Sequence, residues 1–281
     1  MSKDFIPSVD VQRETSTPSL KPAKLISRKQ AVDYYNNFYH TRIATGYLDD
    51  NRAVWFSIEQ LENYFEKVNA LCAEKAIEIT RFVFLLAAKE NGERTVVLAP
   101  ATYDEQLDLH RAFSLDNGKV TYLHRFAGED YSTIKEYTGL HSLDESLLLS
   151  NEGYISSATA VQWYNNYFDT VTGPFTAVLK GDTRFVWYEK GEFEEYLSYV
   201  KENSSNSVGI NVIFGVKDNN ELEGIYANRI TLFFAPDTSK TSIGLNMIRN
   251  KWEHVISSKE EEKITCYFNR GNSAPPPFHW D

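Results

Sequence analysis

Apolar residues return along this chain with a helical spacing and with a strand spacing, and each arrangement occurs twice in the same order. In 26–39 (ISRKQAVDYYNNFY), Ala31, Tyr34, Tyr35 and Phe38 stand at i, i+3, i+4 and i+7, which predicts a helix buried along one stripe, and Ser27 is a suitable N-cap before it. The stretch 155–168 (ISSATAVQWYNNYF) repeats it at an offset of 129, with Ala160, Trp163, Tyr164 and Tyr167 on the same stripe. Ile26, Ser27, Ala31, Val32, Tyr35, Asn36 and Asn37 recur unchanged.

A second block follows each helix. Arg52-Ala53-Val54-Trp55-Phe56, then Ser57 and a run carrying Ile58, Leu61, Tyr64, Phe65 and Val68, predicts a short strand, a cap and an amphipathic helix. Arg184-Phe185-Val186-Trp187-Tyr188, with Phe193, Tyr196, Leu197 and Val200 after it, repeats the block. Next come 80–88 (TRFVFLLAA) and 95–100 (TVVLAP), joined through Asn91-Gly92, a strong hairpin signal. Their counterparts are 209–216 and 231–236. Runs this continuously apolar suit strands covered on both faces. A last echo, 119–122 (KVTY) against 263–266 (KITC), suggests one further strand in each half.

The expected class is therefore α+β: two tandem copies of an α-β-α-β-β(-β) unit with largely antiparallel sheets and helices on one face. The expected organisation is a mobile N-terminal arm at 1–24 carrying Pro7, Pro18 and Pro22, a first unit at 25–125, and a connection at 126–154 with a short helix near 142–149. A second unit at 155–270 and a proline-rich aromatic tail at 271–281 (GNSAPPPFHWD) complete it.

Composition narrows the function classes. Hydrophobic residues make up 42 % and aromatics 14 % of 281 residues, too much for disorder over most of the length. Acidic residues outnumber basic ones 39 to 29, and a net charge of −10 without a basic patch argues against nucleic acid and anionic membranes as partners. No basic leader with an apolar run opens the chain and no window approaches a membrane span, so a cytoplasmic protein is expected. Cys72 and Cys266 stand alone, and His40, His110, His124, His141, His254 and His279 show no metal-binding spacing. No cofactor, metal or catalytic residue is assigned, since nucleotide loops and nucleophile elbows are missing and paired carboxylates such as Glu194-Glu195 suit solvated faces.

Three features remain as candidate binding chemistry. Asn36, Asn37, Asn165 and Asn166 are poor helix-interior residues in matching places, suited to hydrogen-bonding a ligand or peptide; the simpler account is that one ties the helix end to a neighbouring loop while the other faces solvent. Trp55-Phe56 and Trp187-Tyr188 could form a stacking platform, although alternation in a strand sends one ring of each pair into the core. In the tail, Phe278 and Trp280 follow a stiff proline run and are suited to docking in cis or on a partner. The repeated YNNF/YNNY, VWF/VWY and LAP/FAP runs with the PPP tail resemble a loose group of uncharacterised duplicated α+β proteins from Bacteroidota-type bacteria, a resemblance that implies no activity. The expected function is a non-catalytic interaction or scaffold protein, bacterial and acidic, with a protein partner or self-association. The alternative is a small-ligand-binding protein or enzyme with its site in the cleft between the two units.

Overall fold

The computed structural model describes residues 25–44, 51–106, 108–123, 146–167, 183–204, 206–217, 228–237, 267–268 and 272–274. Cap chemistry sets the helix starts. The Ser27 hydroxyl accepts from the Gln30 N–H at 3.2 Å while the Gln30 side chain accepts from the Ser27 N–H at 3.1 Å, a capping box before α1 (Arg28–Phe38). A π-helical turn, Tyr39–Ile43, continues α1. Ser57 accepts from the Gln60 N–H at 2.9 Å before α2 (Ile58–Glu74), and Ser156 from the Thr159 N–H at 3.1 Å before α3 (Ser157–Asn166). The fourth helix, α4 (Glu192–Asn203), has no side-chain cap; Gly191 turns the chain at φ 93°, and Glu192, Glu194 and Glu195 complement the helix dipole in the first turn.

The strands are β1 (Leu25–Ile26), β2 (Ala53–Ser57), β3 (Arg81–Ala88), β4 (Arg94–Asp104), β5 (Leu109–Asp116), β6 (Lys119–Tyr122), β7 (Leu149–Ser150), β8 (Gly153–Tyr154), β9 (Phe185–Glu189), β10 (Gly209–Val216), β11 (Ile230–Asp237), β12 (Tyr267–Phe268) and β13 (Asn272–Ala274). Sheet A runs β1-β12-β11-β10-β2, and sheet B runs β13-β9-β3-β4-β5-β6, with β7 on β4 and β8 on β7. Every described pairing is antiparallel, so the class is α+β as expected.

Each sheet takes two strands from the distant half of the chain, β1 and β2 in sheet A and β13 and β9 in sheet B. β2 lies beside β10, with Val54 opposite Val212, and β9 lies beside β3, with Val186 opposite Phe84. The flanking bonds match as well. Phe214 N–H donates to Arg52 O at 2.8 Å and Ile58 N–H to Val208 O at 3.1 Å; Leu86 N–H donates to Arg184 O at 3.0 Å and Lys190 N–H to Thr80 O at 2.9 Å. Arg184 and Lys190 each lie 132 residues after Arg52 and Ile58, and Val208 and Phe214 each 128 after Thr80 and Leu86.

The inner faces of both sheets share one core with α2 and α4. Phe84 of sheet B and Phe234 of sheet A have ring centroids 5.0 Å apart, Phe193 of α4 sits 4.8 Å from Phe234 and 5.3 Å from Phe84, and Tyr188 donates to Leu232 O at 3.4 Å. On the outer faces, α1 covers sheet A through Ala31, Tyr34 and Tyr35 against Ile213 and Phe233. Likewise α3 covers sheet B through Ala160, Trp163 and Tyr164 against Val83, Leu85 and Ala99. Helices on one face only is therefore corrected: each sheet has a helix outside, and the other sheet with α2 and α4 inside. That accounts for the continuous burial of β3 and β10.

Two local readings also change. Residues 146–150 are extended rather than helical, because Leu147, Leu148 and Leu149 are buried and Leu149 joins β4 opposite Leu98, whereas 142–145 lie outside the described residues. The strand β5 was not anticipated. It pairs with β6 through Asn117 (φ 50°) and Gly118 (φ 71°), the left-handed pair that a tight hairpin requires. The arm at 1–24 and residues 263–266 lie outside the described residues. Truncating Phe84 to Ala should cost about 3–5 kcal/mol, since it removes a fully buried ring that touches both sheets; urea unfolding followed by circular dichroism measures it, and a midpoint equal to wild type would refute the shared core.

Candidate recognition surface

The asparagines stand at the last turns of the two outer helices. Asn36 is exposed, while Asn37 donates through Nδ2 to Val216 O at 3.4 Å and so ties the end of α1 to the end of β10. Asn165 and Asn166 are half-buried at the end of α3. With α1 on sheet A and α3 on sheet B, the two pairs lie on opposite outer faces and do not converge. Phe278 and Trp280 lie outside the described residues.

Beside each pair stands a buried arginine that sequence reasoning missed. The Arg52 guanidinium lies 3.7 Å over the Tyr35 ring, and Arg184 acts on Tyr164, whose phenol is held above its ordinary value by burial, with Arg184 opposing. Both arginines are buried. The signal was available in the recurrence of Arg-x-Val-Trp, where the arginine repeats along with the more conspicuous tryptophan.

Strand alternation sorts the aromatic pairs. Phe56 and Tyr188 point into the shared core and are fully buried, whereas Trp55 and Trp187 stand half-buried on the outer faces. Here the two sheets differ. Gly209, paired with Ser57 of β2, leaves room for the Trp55 indole to lie directly on the backbone, and a Cβ there would overlap the ring. The matching place in sheet B is Arg81, paired with Glu189, and its guanidinium stacks 3.6 Å from the Trp187 ring while Nε donates to Glu189 Oε1 at 3.3 Å.

Next to that stack, Tyr103 of β4 faces His110 of β5, with ring centroids 5.2 Å apart. Alternation puts Arg81, Trp187, Tyr103 and His110 on the face that also carries Val83, Ala99, Ala101 and Ala112, beyond the part covered by α3. Tyr103 remains 43 % exposed, and its hydroxyl donates to Asp108. His110 Nδ1 lies 2.8 Å from Thr80 Oγ1, which itself donates to Ala101 O at 3.1 Å. Because the hydroxyl has one proton, satisfying both contacts makes Nδ1–H the donor to Thr80 and leaves the lone pair on Nε2. Burial, then the Arg81 charge, hold the His110 pKa below 6.5, with Glu189 opposing. On the opposite side of the same strands, Arg111 donates to Asp104 Oδ2 at 2.7 Å and lies 3.9 Å over Tyr122, a buried pair that anchors the end of the β4–β5 hairpin beneath the patch.

The surface is thus two aromatic rings, one pre-stacked guanidinium and one neutral imidazole on a rigid sheet. Among the described residues, no three His, Cys, Asp or Glu side chains group as metal ligands, and no helix is long and apolar enough to cross a membrane. No family model, curated protein or solved structure matches this chain.

Two outcomes test this geometry. Gly209→Ala should destabilise by about 1–3 kcal/mol, because the indole of Trp55 must leave its place on β10; an unchanged urea midpoint would contradict the packing. For His110, the unfolded chain takes up a proton before the folded one as pH falls. Its contribution is therefore complete above 6.5 and is lost as pH falls from 6.5 through the lower folded value. His110→Gln should flatten the decline in stability between about pH 7.5 and about pH 5; thermal melts across that range measure the difference, and parallel profiles would refute the depressed pKa.

Proposed function

We propose that this is a non-catalytic interaction protein, built from a duplicated α-β-α-β-β unit, whose recognition surface is the Arg81, Trp187, Tyr103 and His110 patch of sheet B. The observation that carries the reading is the pre-stacked Arg81 beside an exposed Tyr103 on sheet B, at the place where sheet A has Gly209 under Trp55. Tyr, Trp and Arg are the side chains that dominate protein interfaces, and a guanidinium already held over an indole loses little freedom on binding. The recurrence of the β2 and β9 registers at matching offsets supports the duplication, and the divergence at Arg81 supports a specialised second use of one half. The partner is a protein. A site between the two units has less support, because Phe84, Tyr188, Phe193 and Phe234 occupy the space between the sheets.

A photo-crosslinking amino acid at position 103, compared with one at the exposed Glu66 of α2, tests the reading in cells of the source organism. A discrete adduct from position 103 alone is expected. In the recovered complex Arg81→Ala should weaken binding by roughly 30-fold, the effect of losing a central interface residue. Crosslinks from both positions alike, or from neither, would count against the patch.

A further inference from the structure

Tyr103 stands at the β4–β5 turn, held from two sides. Its hydroxyl donates to Asp108, which turns the chain at φ 54°, and its ring rests against His110, with centroids 5.2 Å apart. The turn is fixed in its own right by Asp104, which accepts the Gln106 N–H at 3.0 Å through Oδ1 and Arg111 Nη1 at 2.7 Å through Oδ2. With all this the residue is still 43 % exposed, so the ring keeps a face open to solvent away from His110.

That face looks out among carboxylates. Glu105 and Asp108 are exposed, and among the described residues no group pairs with the Glu105 carboxylate or with Asp108 Oδ2. The hydrogen bond to Asp108 first, then burial and the Asp108 and Glu105 charges, hold the Tyr103 phenol above its ordinary value. A hydroxyl that donates to a carboxylate leaves its ring richer in electrons, and an electron-rich face attracts a cation. Arg81, the cation on this side of sheet B, is the more covered group: its side chain is 21 % exposed, lies on Trp187 and is tied to Glu189, which is 48 % exposed. What solvent meets around the ring is therefore negative, and the net charge of −10 draws basic partners toward the chain.

We propose that the partner seats an arginine on the open face of Tyr103, its guanidinium stacked on the ring and donating to Asp108 Oδ2. The inference rests on the patch being an interaction surface and adds the chemistry of what occupies it. The same unit already exists inside the molecule, where Arg111 lies 3.9 Å over the Tyr122 ring while donating to Asp104, and Arg52 lies 3.7 Å over Tyr35. Arginine suits the place better than lysine, because a planar guanidinium covers the ring with its face while the N–H groups at its rim reach a carboxylate, which a compact ammonium does less well. The ring, Asp108 and Glu105 are held before the partner arrives, so little freedom is lost on seating it.

The test titrates the isotope-labelled full chain, followed by amide NMR at about 20 mM salt, where screening is weak. One probe is the peptide acetyl-GSRSG-amide; the other carries citrulline, which has the shape of arginine without its charge. The arginine peptide is expected to shift the amides of Tyr103, Glu105 and Asp108 saturably and to bind at least about tenfold more tightly than the citrulline peptide. Tyr103→Leu should weaken the arginine peptide about threefold, and so should Glu105→Gln with Asp108→Asn, where asparagine keeps the left-handed turn and an acceptor for the tyrosine. Both variants should leave the citrulline peptide unchanged and keep the wild-type circular dichroism spectrum. Equal affinity of the two peptides, shifts centred on the exposed Glu62 and Glu66 side of α2, or an arginine affinity unchanged by Tyr103→Leu would each overturn the inference. A crosslink from position 103 together with equal peptide affinities would leave the interaction surface in place and remove only the arginine.

Discussion

The rest of the structure depends on where β2 and β9 pair. Each is followed at once by a helix that must bury Leu61 and Phe65, or Phe193 and Tyr196, and each pairs with a strand from the other half of the chain. Placing the strands this way carries both helices into the space between the sheets, where their rings meet Phe84 and Phe234. Neither sheet can leave the other without losing a strand. The backbone bonds of the exchanged strands and the apolar contacts of the shared core therefore form or break together, the condition for a cooperative transition.

Several of the polar groups drawn into this arrangement are paired. Arg52, before β2, rests on the Tyr35 ring, Arg184, before β9, opposes the burial-raised pKa of Tyr164, and Arg94 at the start of β4 donates to Asn51 O at 2.9 Å, close to where β2 begins. Tyr64, Gln60 and Lys67 of α2 donate to the carbonyls of Leu147, Ser150 and Ser146 at 3.0, 3.1 and 3.0 Å. Those three residues, one helical face apart, satisfy an irregular segment whose carbonyls would otherwise be buried at a cost. Burial pushes the Cys72 thiol up to about 11, with Lys190 opposing, so the core holds this cysteine as an inert apolar group.

Among the described residues, β5 and β6 extend sheet B beyond β4. Their hairpin brings His110 to Tyr103, and Asp104 with Arg111 pins it from the buried side. One residue difference across matching registers, Arg81 against Gly209, then changes the neighbouring tryptophan from a ring laid on backbone to a platform under a guanidinium. Burial of the ring from above converts a packing residue into part of a shaped, charged surface.

Helix starts, the Asn91-Gly92 hairpin and the alternation within each strand were readable from residues a few positions apart, because capping, left-handed turns and side-chain periodicity are local effects. Asn117-Gly118 carried the same signal for the β5–β6 hairpin and passed unread beside the better-flanked Asn91-Gly92. Alternation said that one ring of each Trp-aromatic pair turns inward, yet not which, since that depends on whether Val54 or Trp55 faces the opposite sheet. Strand partners depend on apolar surfaces that arrive from far along the chain, and two runs as alike as those of β3 and β10 are equally good partners for β2 as far as local chemistry goes. The choice between them, and with it the common core, the helices on both sides of each sheet and the patch around Arg81, is fixed by burial of the whole assembly, a quantity no short window of residues contains.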